Sequence, residues 1–254
     1  MKSEALKAHS FATKVWNKCR ELHKAMQETN RDPDSDKIDE YEFYVLRVGS
    51  ALAHLLTWID QLEHAVFYLS DFPYSKAAKA SGITSASHLQ YNVENYLIRL
   101  NSVYDRSLQL TNCVFHLCIE ESNISHGLVV SNLRVARSKV ASRLKSVRKS
   151  IGDYSQHRHK ILHQTSYQDK TLRRLELFYM YDKETWEVIA GKPNFTNLAH
   201  IRSQLLKETV GSLKKDYQLV NDKLGDAVDQ LFASMEKEYE NQARRLLVYT
   251  QTDA

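Results

Sequence analysis

The sequence predicts an all-α fold. Only seven glycines and three prolines occur in 254 residues, so the chain is poor in the residues that turns and loops require. Apolar residues recur three or four positions apart over long stretches, which is the spacing of a buried stripe along a helix. A chain of this length can bury a core without the help of a metal or a disulfide. We therefore expect one helical domain over residues 1–254, built as a bundle of antiparallel helices.

The first half of the chain divides into three predicted helices. Residues 3–29 form the first, and residues 38–69 form the second, whose apolar stripe is continuous. Ser87 and Gln90 have the spacing of a capping box, so we expect the third helix to begin at Ser87 and to continue to about residue 119.

The second half is helical as well, with one ambiguous stretch. A fourth helix is predicted over 127–150. Residues 172–189 fit either a helix or a hairpin, and we favour the helix. The C-terminal helical region is predicted over 196–247, with Gly211 as the position where it can bend or divide.

Composition limits the classes of function. The net charge of +4 permits a polyanionic partner without requiring one. Cys19, Cys113 and Cys118 lack zinc-type spacing, which predicts reduced thiols in a cytoplasmic protein. The N-terminus has no signal-peptide pattern and no apolar stretch approaches about 20 residues, so no membrane partner is expected. Neither a Gly-x-Ser-x-Gly elbow nor a P-loop occurs.

The fourth predicted helix is strongly basic. No acidic residue occurs from Ser122 to Gly152, where seven lysines and arginines lie. At about 100° per residue, a continuous helix would place several of them on one face. A charged face is often merely solvated, but the lack of counter-charges also favours phosphate binding. The predicted RNA contacts are Arg134, Arg137, Lys145 and Arg148.

The densest polar chemistry lies in residues 154–164. This stretch holds three histidines, an arginine and a lysine, and it contains the pattern Arg158-His159-x-x-x-His163. That pattern resembles the signature of the HEPN superfamily, small helical bundles that include many metal-independent ribonucleases. The resemblance implies a HEPN-like core over about residues 38–190, with the N- and C-terminal helices as additions.

The resemblance also implies a reaction in which the ribose 2′-hydroxyl attacks the adjacent phosphate. His163 suits the proton acceptor, since an unperturbed imidazole titrates near neutral pH. Arg158 can bind two phosphate oxygens with its planar fork. His159 occupies the polar second position and can orient the arginine or act as a second acid. The reaction needs no metal and no cofactor, and it leaves a 2′,3′-cyclic phosphate and a 5′-hydroxyl.

The third predicted helix carries polar residues that resemble the helix preceding the motif in some bacterial HEPN proteins. These are Glu94, Arg99 and Asp105. Glu94 or Asp105 is the candidate carboxylate that offsets the positive charge of the motif, as an acidic counterweight. In some HEPN toxins, a tyrosine two residues after the motif histidine is nucleotidylated. Thr165 occupies that position here, so control by that route is not expected.

Helix geometry favours a shared site. On one helix Arg158 and His163 are separated by about 140° around the axis and about 7.5 Å along it. The two side chains of one chain therefore do not reach the same phosphate. Two motif helices meeting at a two-fold axis would bring both pairs together, which predicts a homodimer. His159 and His163 have metal-binding spacing, but further ligands are not evident.

Two functions stay open at this point. The first is a HEPN-like endoribonuclease, by family analogy a bacterial toxin or phage-defence effector with an antitoxin or defence partner protein. The second is a non-catalytic helical module that binds RNA or a protein.

Overall fold

The computed structural model describes residues 2–32, 37–72, 75–152, 154, 161, 167, 170–181, 185, 188 and 197–252. Most of these residues are helical and none of them lies in a strand, which confirms the all-α prediction. The helices, in chain order, are α1 (Lys2–Lys7), α2 (Ser10–Glu28), α3 (Glu40–Tyr68), α4 (Lys76–Ala80), α5 (Ser85–Val114), α6 (His126–Ser131), α7 (Leu133–Ala136), α8 (Val140–Ile151), α9 (Lys170–Met180) and α10 (Leu198–Thr252).

The chain forms two compact units. The first comprises Met1–Gln61, Asn101–Gly152 and Asp222–Ala254, and the second comprises Leu62–Leu100 and Asp153–Asn221. Helices α3, α5 and α10 each contribute residues to both units. The prediction of a single domain stays a prediction.

Aromatic side chains form much of the first unit's core. The rings of Phe11 and Phe232 lie 5.2 Å apart between centroids, and those of Tyr44 and Tyr239 stack at 5.7 Å. The hydroxyl of Tyr44 donates to the carbonyl oxygen of Val114 at 2.9 Å. The buried tyrosine thus provides a hydrogen-bond donor for a backbone carbonyl at the C-terminal end of α5. These contacts bring α2, α3, α5 and α10 together.

Two predicted boundaries in the first half of the chain were wrong. The stretch predicted as one helix over 3–29 is divided into α1 and α2, because the Nδ1 atom of His9 accepts a hydrogen bond from the backbone N–H of Phe11 and caps α2. Helix α5 ends at Val114 rather than near 119. His116 and Cys118 have φ angles of 50° and 55°, which a right-handed helix does not allow.

The capping box of α5 also differs from the predicted one. The N–H of Thr84 donates to Oγ of Ser87 at 2.9 Å, and the N–H of Ser87 donates to Oγ1 of Thr84 at 3.1 Å. The helix begins at Ser85, so Thr84 is the residue that precedes it and caps it, and Ser87 is the partner of Thr84 within the first turn.

The second unit is built from parts of α3, α5 and α10 together with α4 and α9. Leu172 and Leu175 bury one face of α9, and Nε of Arg202 on α10 donates to the carbonyl oxygen of Phe178 at 2.7 Å. The preference for a helix over a hairpin is confirmed for 170–180, whereas most of 182–196 lies outside the described residues. Helix α10 continues through Gly211 without dividing.

Candidate functional site

The three predicted catalytic residues, Arg158, His159 and His163, lie outside the described residues. The structure describes Tyr154 before them, Tyr167 after them and Ile161 between them. We call residues 154–167 the motif segment. Its two described ends, Tyr154 and Tyr167, are held by residues of the second unit.

The C-terminal end of the motif segment is attached to α5 through the backbone of Tyr167. Oε1 of Glu94 accepts a hydrogen bond from the N–H of Tyr167 at 2.8 Å. Nε2 of Gln90, one helical turn earlier, donates to the carbonyl oxygen of Tyr167 at 2.5 Å and to Oε1 of Glu94 at 2.6 Å. Both backbone polar groups of Tyr167 are therefore bonded, whatever side chain stands at that position.

The N-terminal end of the motif segment is attached to α10 through an aromatic contact. The ring of Tyr154 meets the ring of Tyr217 edge to face, with centroids 6.5 Å apart. Tyr217 in turn stacks on Tyr96 of α5 at 3.7 Å with 9° between the planes. Such arrangements stabilise aromatic pairs beyond the area that they bury.

A hydrogen bond holds the centre of this aromatic group. The hydroxyl of Tyr96 donates to Oδ1 of Asn221 at 2.9 Å, and Nδ2 of Asn221 donates to the carbonyl oxygen of Leu62 at 3.1 Å. Burial raises the pKa of Tyr96 well above its usual range, and the nearby Tyr154 hydroxyl adds to the shift. Tyr96 is therefore a neutral hydrogen-bond donor at physiological pH and serves as an anchor.

The predicted supporting residues are divided between the two units. Glu94 lies in the second unit and contacts the end of the motif segment. Arg99 is in the same unit, and its Nη1 donates to Oδ1 of Asn95, one turn before it. Asp105 belongs to the first unit. The structure thus places Glu94 beside the segment that it was predicted to support.

Sequence reasoning missed two residues of this framework. Gln90 was interpreted only as part of a capping box, although its spacing of four from Glu94 is a signal for a side-chain pair on one helix face. Tyr217 was not singled out, because an apolar position in a long helix carries no local indication of its partner.

The predicted basic helix over 127–150 was wrong as a single element. It is divided into α6, α7 and α8. Oδ1 of Asn132 accepts from the N–H of Arg134 at 3.0 Å, and Oγ of Ser138 accepts from the N–H of Val140 at 3.1 Å. These short polar side chains compete with the helix for backbone N–H groups and interrupt it. The four predicted RNA contacts therefore do not share one continuous helical face.

Arg134 is bonded within the first unit. Its Nη1 donates to the carbonyl oxygen of Phe115 at 2.8 Å, and its Nη2 donates to Oε1 of Gln242 at 2.7 Å. Arg137, Lys145 and Arg148 are exposed. Helix α8 ends at Ile151, and the following residue, Gly152, has a φ of 58°, in the left-handed region that glycine adopts readily. The second unit resumes after Gly152.

The described residues form neither a metal-binding cluster nor a membrane-spanning helix. No three side chains of His, Cys, Asp or Glu there are grouped so that they could hold a metal ion. No helix formed by those residues combines the length and the apolar character needed to cross a bilayer.

Comparison with protein-family models identifies the family of this chain. The family model HEPN_Cthe2314-like HEPN matches residues 5–232, which extends beyond the predicted core of 38–190 into α2 and α10. Searches of curated proteins and of solved structures return no match. The matched region covers most of the chain and agrees with its helical fold, so the chain belongs to the HEPN_Cthe2314-like family of HEPN domains.

Proposed function

We propose that this protein is a metal-independent endoribonuclease that cleaves RNA by attack of the ribose 2′-hydroxyl. The observation that carries the proposal is the position of Arg158-His159-x-x-x-His163 within a chain whose HEPN match spans residues 5–232. The match supports a function related to RNA or nucleotides. The motif supplies residue types that suit phosphodiester cleavage.

The attachments at Tyr154 and Tyr167 support the proposal in a second way. Catalysis requires reacting groups to be held in a narrow range of positions. Hydrogen bonds from Gln90 and to Glu94 hold one end of the motif segment, and the ring of Tyr217 contacts the other end. The second unit therefore restrains the segment on both sides of the motif.

The motif residues have distinct roles in the proposed reaction. His163 accepts the proton of the 2′-hydroxyl as the oxygen attacks phosphorus. Arg158 donates two hydrogen bonds to the phosphate oxygens, on which negative charge accumulates in the transition state. His159 orients Arg158 or donates a proton to the leaving 5′-oxygen. The bond from phosphorus to that oxygen breaks, which gives a 2′,3′-cyclic phosphate and a 5′-hydroxyl.

The biological setting of the proposal follows from family analogy. We infer a homodimeric effector of a bacterial toxin or phage-defence system, with RNA as its substrate and a protein partner that restrains it.

The test is cleavage of labelled mixed-sequence RNA by the purified full chain in EDTA. We expect Arg158→Ala and His163→Ala each to lose about a hundredfold or more in rate, because each removes a group that acts in the transition state. His157→Ala is the matched control, since it removes an imidazole from the same segment outside the motif. It should keep most of the activity.

Product analysis completes the test. The 3′ ends should carry a cyclic phosphate and the new 5′ ends a free hydroxyl. A wild-type protein that does not cut RNA at micromolar concentration would contradict the proposal and favour a helical module that binds RNA or a protein without catalysis. Activity that disappears in EDTA would contradict the metal-independent mechanism.

A further inference from the structure

A group of aromatic side chains lies on the second unit, where α3 ends and α5 begins. We call this group the aromatic patch, and its members are Phe67, Tyr68, Phe72, His88 and Tyr91. Phe67 is 63% exposed, Tyr68 is 49% exposed and Tyr91 is 68% exposed. Single exposed apolar residues are common on protein surfaces, whereas a connected group of them indicates a binding surface.

Short distances connect the members of the patch. The rings of Phe67 and Tyr68 meet edge to face, with centroids 5.8 Å apart. Nε2 of His88 lies 3.4 Å from the carbonyl oxygen of Tyr68, and the His88 ring meets that of Phe72 edge to face at 5.3 Å. Tyr91 follows His88 by three positions on α5, so their side chains are neighbours on the helix surface. The patch therefore extends from the end of α3 to the first two turns of α5.

The geometry of these contacts leaves aromatic faces open. In an edge-to-face pair, the edge of one ring covers one face of the other, so each ring keeps a face that the contact does not use. Phe67 and Tyr91 are more than half exposed, so much of each ring is in contact with water. An open aromatic face is a surface on which an unpaired nucleic-acid base can stack.

A lysine ammonium lies beside the patch. Nζ of Lys214 on α10 donates to Oγ of Ser70 at 2.6 Å, and the Ser70 hydroxyl donates to the carbonyl oxygen of Phe67 at 3.4 Å. Within the part of the chain that the structure describes, no carboxylate forms an ion pair with Lys214. One acidic residue, Asp71, occurs from His64 to Val93. Positive charge beside open rings complements RNA, whose phosphates are negative and whose bases stack.

The patch adjoins the residues that hold the motif segment. Gln90 and Glu94 bond the carbonyl oxygen and the N–H of Tyr167, at 2.5 Å and 2.8 Å. Tyr91 follows Gln90 directly and precedes Glu94 by three positions, so its side chain neighbours that of Glu94 on α5. A strand of RNA that follows the motif segment as far as Tyr167 therefore reaches the patch.

We propose that the aromatic patch binds unpaired bases of single-stranded RNA by stacking, with Phe67 and Tyr91 as the stacking residues and Lys214 as a phosphate contact. The ligand class rests on the proposed function, since RNA is the substrate of that function. Every base has an aromatic face, so the patch selects single strands without selecting a sequence. A duplex keeps its bases stacked on one another and does not offer them to the patch.

The binding test uses one mixed-sequence RNA, methylated at every 2′-hydroxyl to prevent cleavage, as a single strand and annealed to its complement. We expect wild-type protein to bind the single strand more tightly than the duplex. Phe67→Leu/Tyr91→Leu keeps apolar side chains but removes both rings, so it should weaken single-strand binding by about tenfold or more and leave duplex binding unchanged. Phe43→Leu is the matched control, since Phe43 is a ring on α3 in the first unit that is 39% exposed. It should weaken single-strand binding by less than about twofold.

Tyr91→Trp tests stacking directly. An indole keeps the aromatic face, so this variant should bind the single strand at least as tightly as wild-type protein. The single strand should quench the fluorescence of the added tryptophan, measured against wild-type protein, and the duplex should not. Single-strand binding by Tyr91→Trp as weak as that of Tyr91→Leu would overturn the stacking role.

Lys214→Gln tests the phosphate contact. For the single strand, it should flatten the slope of log affinity against log salt by about 0.7, the value for one phosphate. Lys237→Gln is the matched control, because Lys237 is an exposed lysine of the same helix in the first unit. It should leave the slope unchanged. Equal slopes for the two variants would contradict the phosphate contact.

The outcomes separate this proposal from the proposed nuclease activity. If wild-type protein cuts RNA but Phe67→Leu/Tyr91→Leu binds the methylated single strand as tightly as its control does, the patch is wrong and the nuclease stands. If wild-type protein does not cut RNA but binds the methylated single strand, and only the double variant loses that binding, the patch stands without the nuclease. Wild-type protein that does not bind the methylated single strand overturns the patch.

Sedimentation distinguishes RNA from a second copy of the chain as the occupant of the patch. Wild-type protein and Phe67→Leu/Tyr91→Leu should sediment alike in the absence of RNA. A double variant that dissociates while wild-type protein stays associated would overturn the proposal, because the rings would then form a contact between protein copies.

Discussion

The carboxylate of Glu94 accepts a hydrogen bond from the backbone N–H of Tyr167, with 2.8 Å between Oε1 and N. The two residues are 73 positions apart, and Tyr167 follows the motif histidine His163 by four residues. This bond connects α5 directly to the end of the motif segment. We therefore predict that Glu94 is a positioning residue for the proposed active site.

We predict that the acceptor oxygen of Glu94 contributes more to stability and to RNA cleavage than its negative charge does. Glu94→Ala removes the acceptor and should lower the free energy of unfolding by about 1–3 kcal/mol, because the N–H of Tyr167 loses its partner. RNA cleavage should fall about tenfold or more, since the motif segment is then held less well. Glu94→Gln keeps an acceptor oxygen and should retain activity within about threefold.

Glu208 provides the matched control for Glu94. It pairs with Gln204 four residues earlier, at 3.0 Å, just as Glu94 pairs with Gln90, but it is exposed. Glu208→Ala should change the free energy of unfolding by less than about 0.5 kcal/mol. If Glu94→Gln lost as much activity as Glu94→Ala at equal stability, the charge itself would be required, as expected of an acidic counterweight.

For Arg134 we predict a larger effect on stability than on RNA binding. Arg134→Ala removes the donors to Phe115 and Gln242 and should lower the free energy of unfolding by about 1–2 kcal/mol. Arg137→Ala, at an exposed position of the same basic stretch, should lower the free energy of unfolding by less than about 0.5 kcal/mol. Chemical denaturation measures both effects.

RNA affinity distinguishes a structural role of Arg134 within the first unit from a role in binding an RNA phosphate. Under our prediction, the two alanine variants lose similar amounts of affinity, because each removes one charge near the RNA. If Arg134→Ala were as stable as wild type but bound RNA far more weakly than Arg137→Ala, its guanidinium would serve a phosphate instead.

The proposed active unit is a dimer whose two sites each combine Arg158 of one chain with His163 of the other. A heterodimer of wild type and Arg158→Ala/His163→Ala then has no complete site and should be inactive. Purification with two different affinity tags isolates that heterodimer. Half of the wild-type activity in this species would show that each site lies within one chain, and a monomer that cuts RNA would contradict the dimer.

Gly49 on α3 is predicted to tolerate no side chain. A Cβ atom at this position would lie 2.5 Å from Sγ of Cys19 on α2, which is closer than van der Waals contact allows. Gly49→Ala should therefore lower the free energy of unfolding by about 1–3 kcal/mol, despite the better helix propensity of alanine. Thermal unfolding followed by circular dichroism measures this change.

Two variants control the Gly49 experiment. Gly211→Ala changes an exposed glycine inside α10 that has open space around it, so it should stabilise the protein by about 0.5–1 kcal/mol. Adding Cys19→Ala to Gly49→Ala removes the clashing sulfur and should recover part of the loss. Failure of both expectations would mean that Gly49 is not required for the approach of α2 to α3.

Periodicity and composition determined the helical class of this protein, and a single motif determined its superfamily. The spacing of apolar residues is a local property, since each helix shows its buried stripe within a few turns. The same reasoning favoured a helix over a hairpin for residues 172–189, and the structure has a helix over Lys170–Met180. The resemblance to HEPN proteins also selected Glu94 as a supporting residue from the sequence alone.

Only the tertiary structure decided which partners these residues have. The guanidinium of Arg134 bonds Gln242, which is 108 positions away, and the hydroxyl of Tyr104 bonds the imidazole of His126 across the break between α5 and α6. Asn132 and Ser138 interrupt the predicted basic helix by bonding nearby backbone N–H groups, which helix periodicity does not register. Helix formation depends on neighbours within a turn or two, whereas hydrogen-bond partners depend on which helices pack together, and packing is a property of the whole chain.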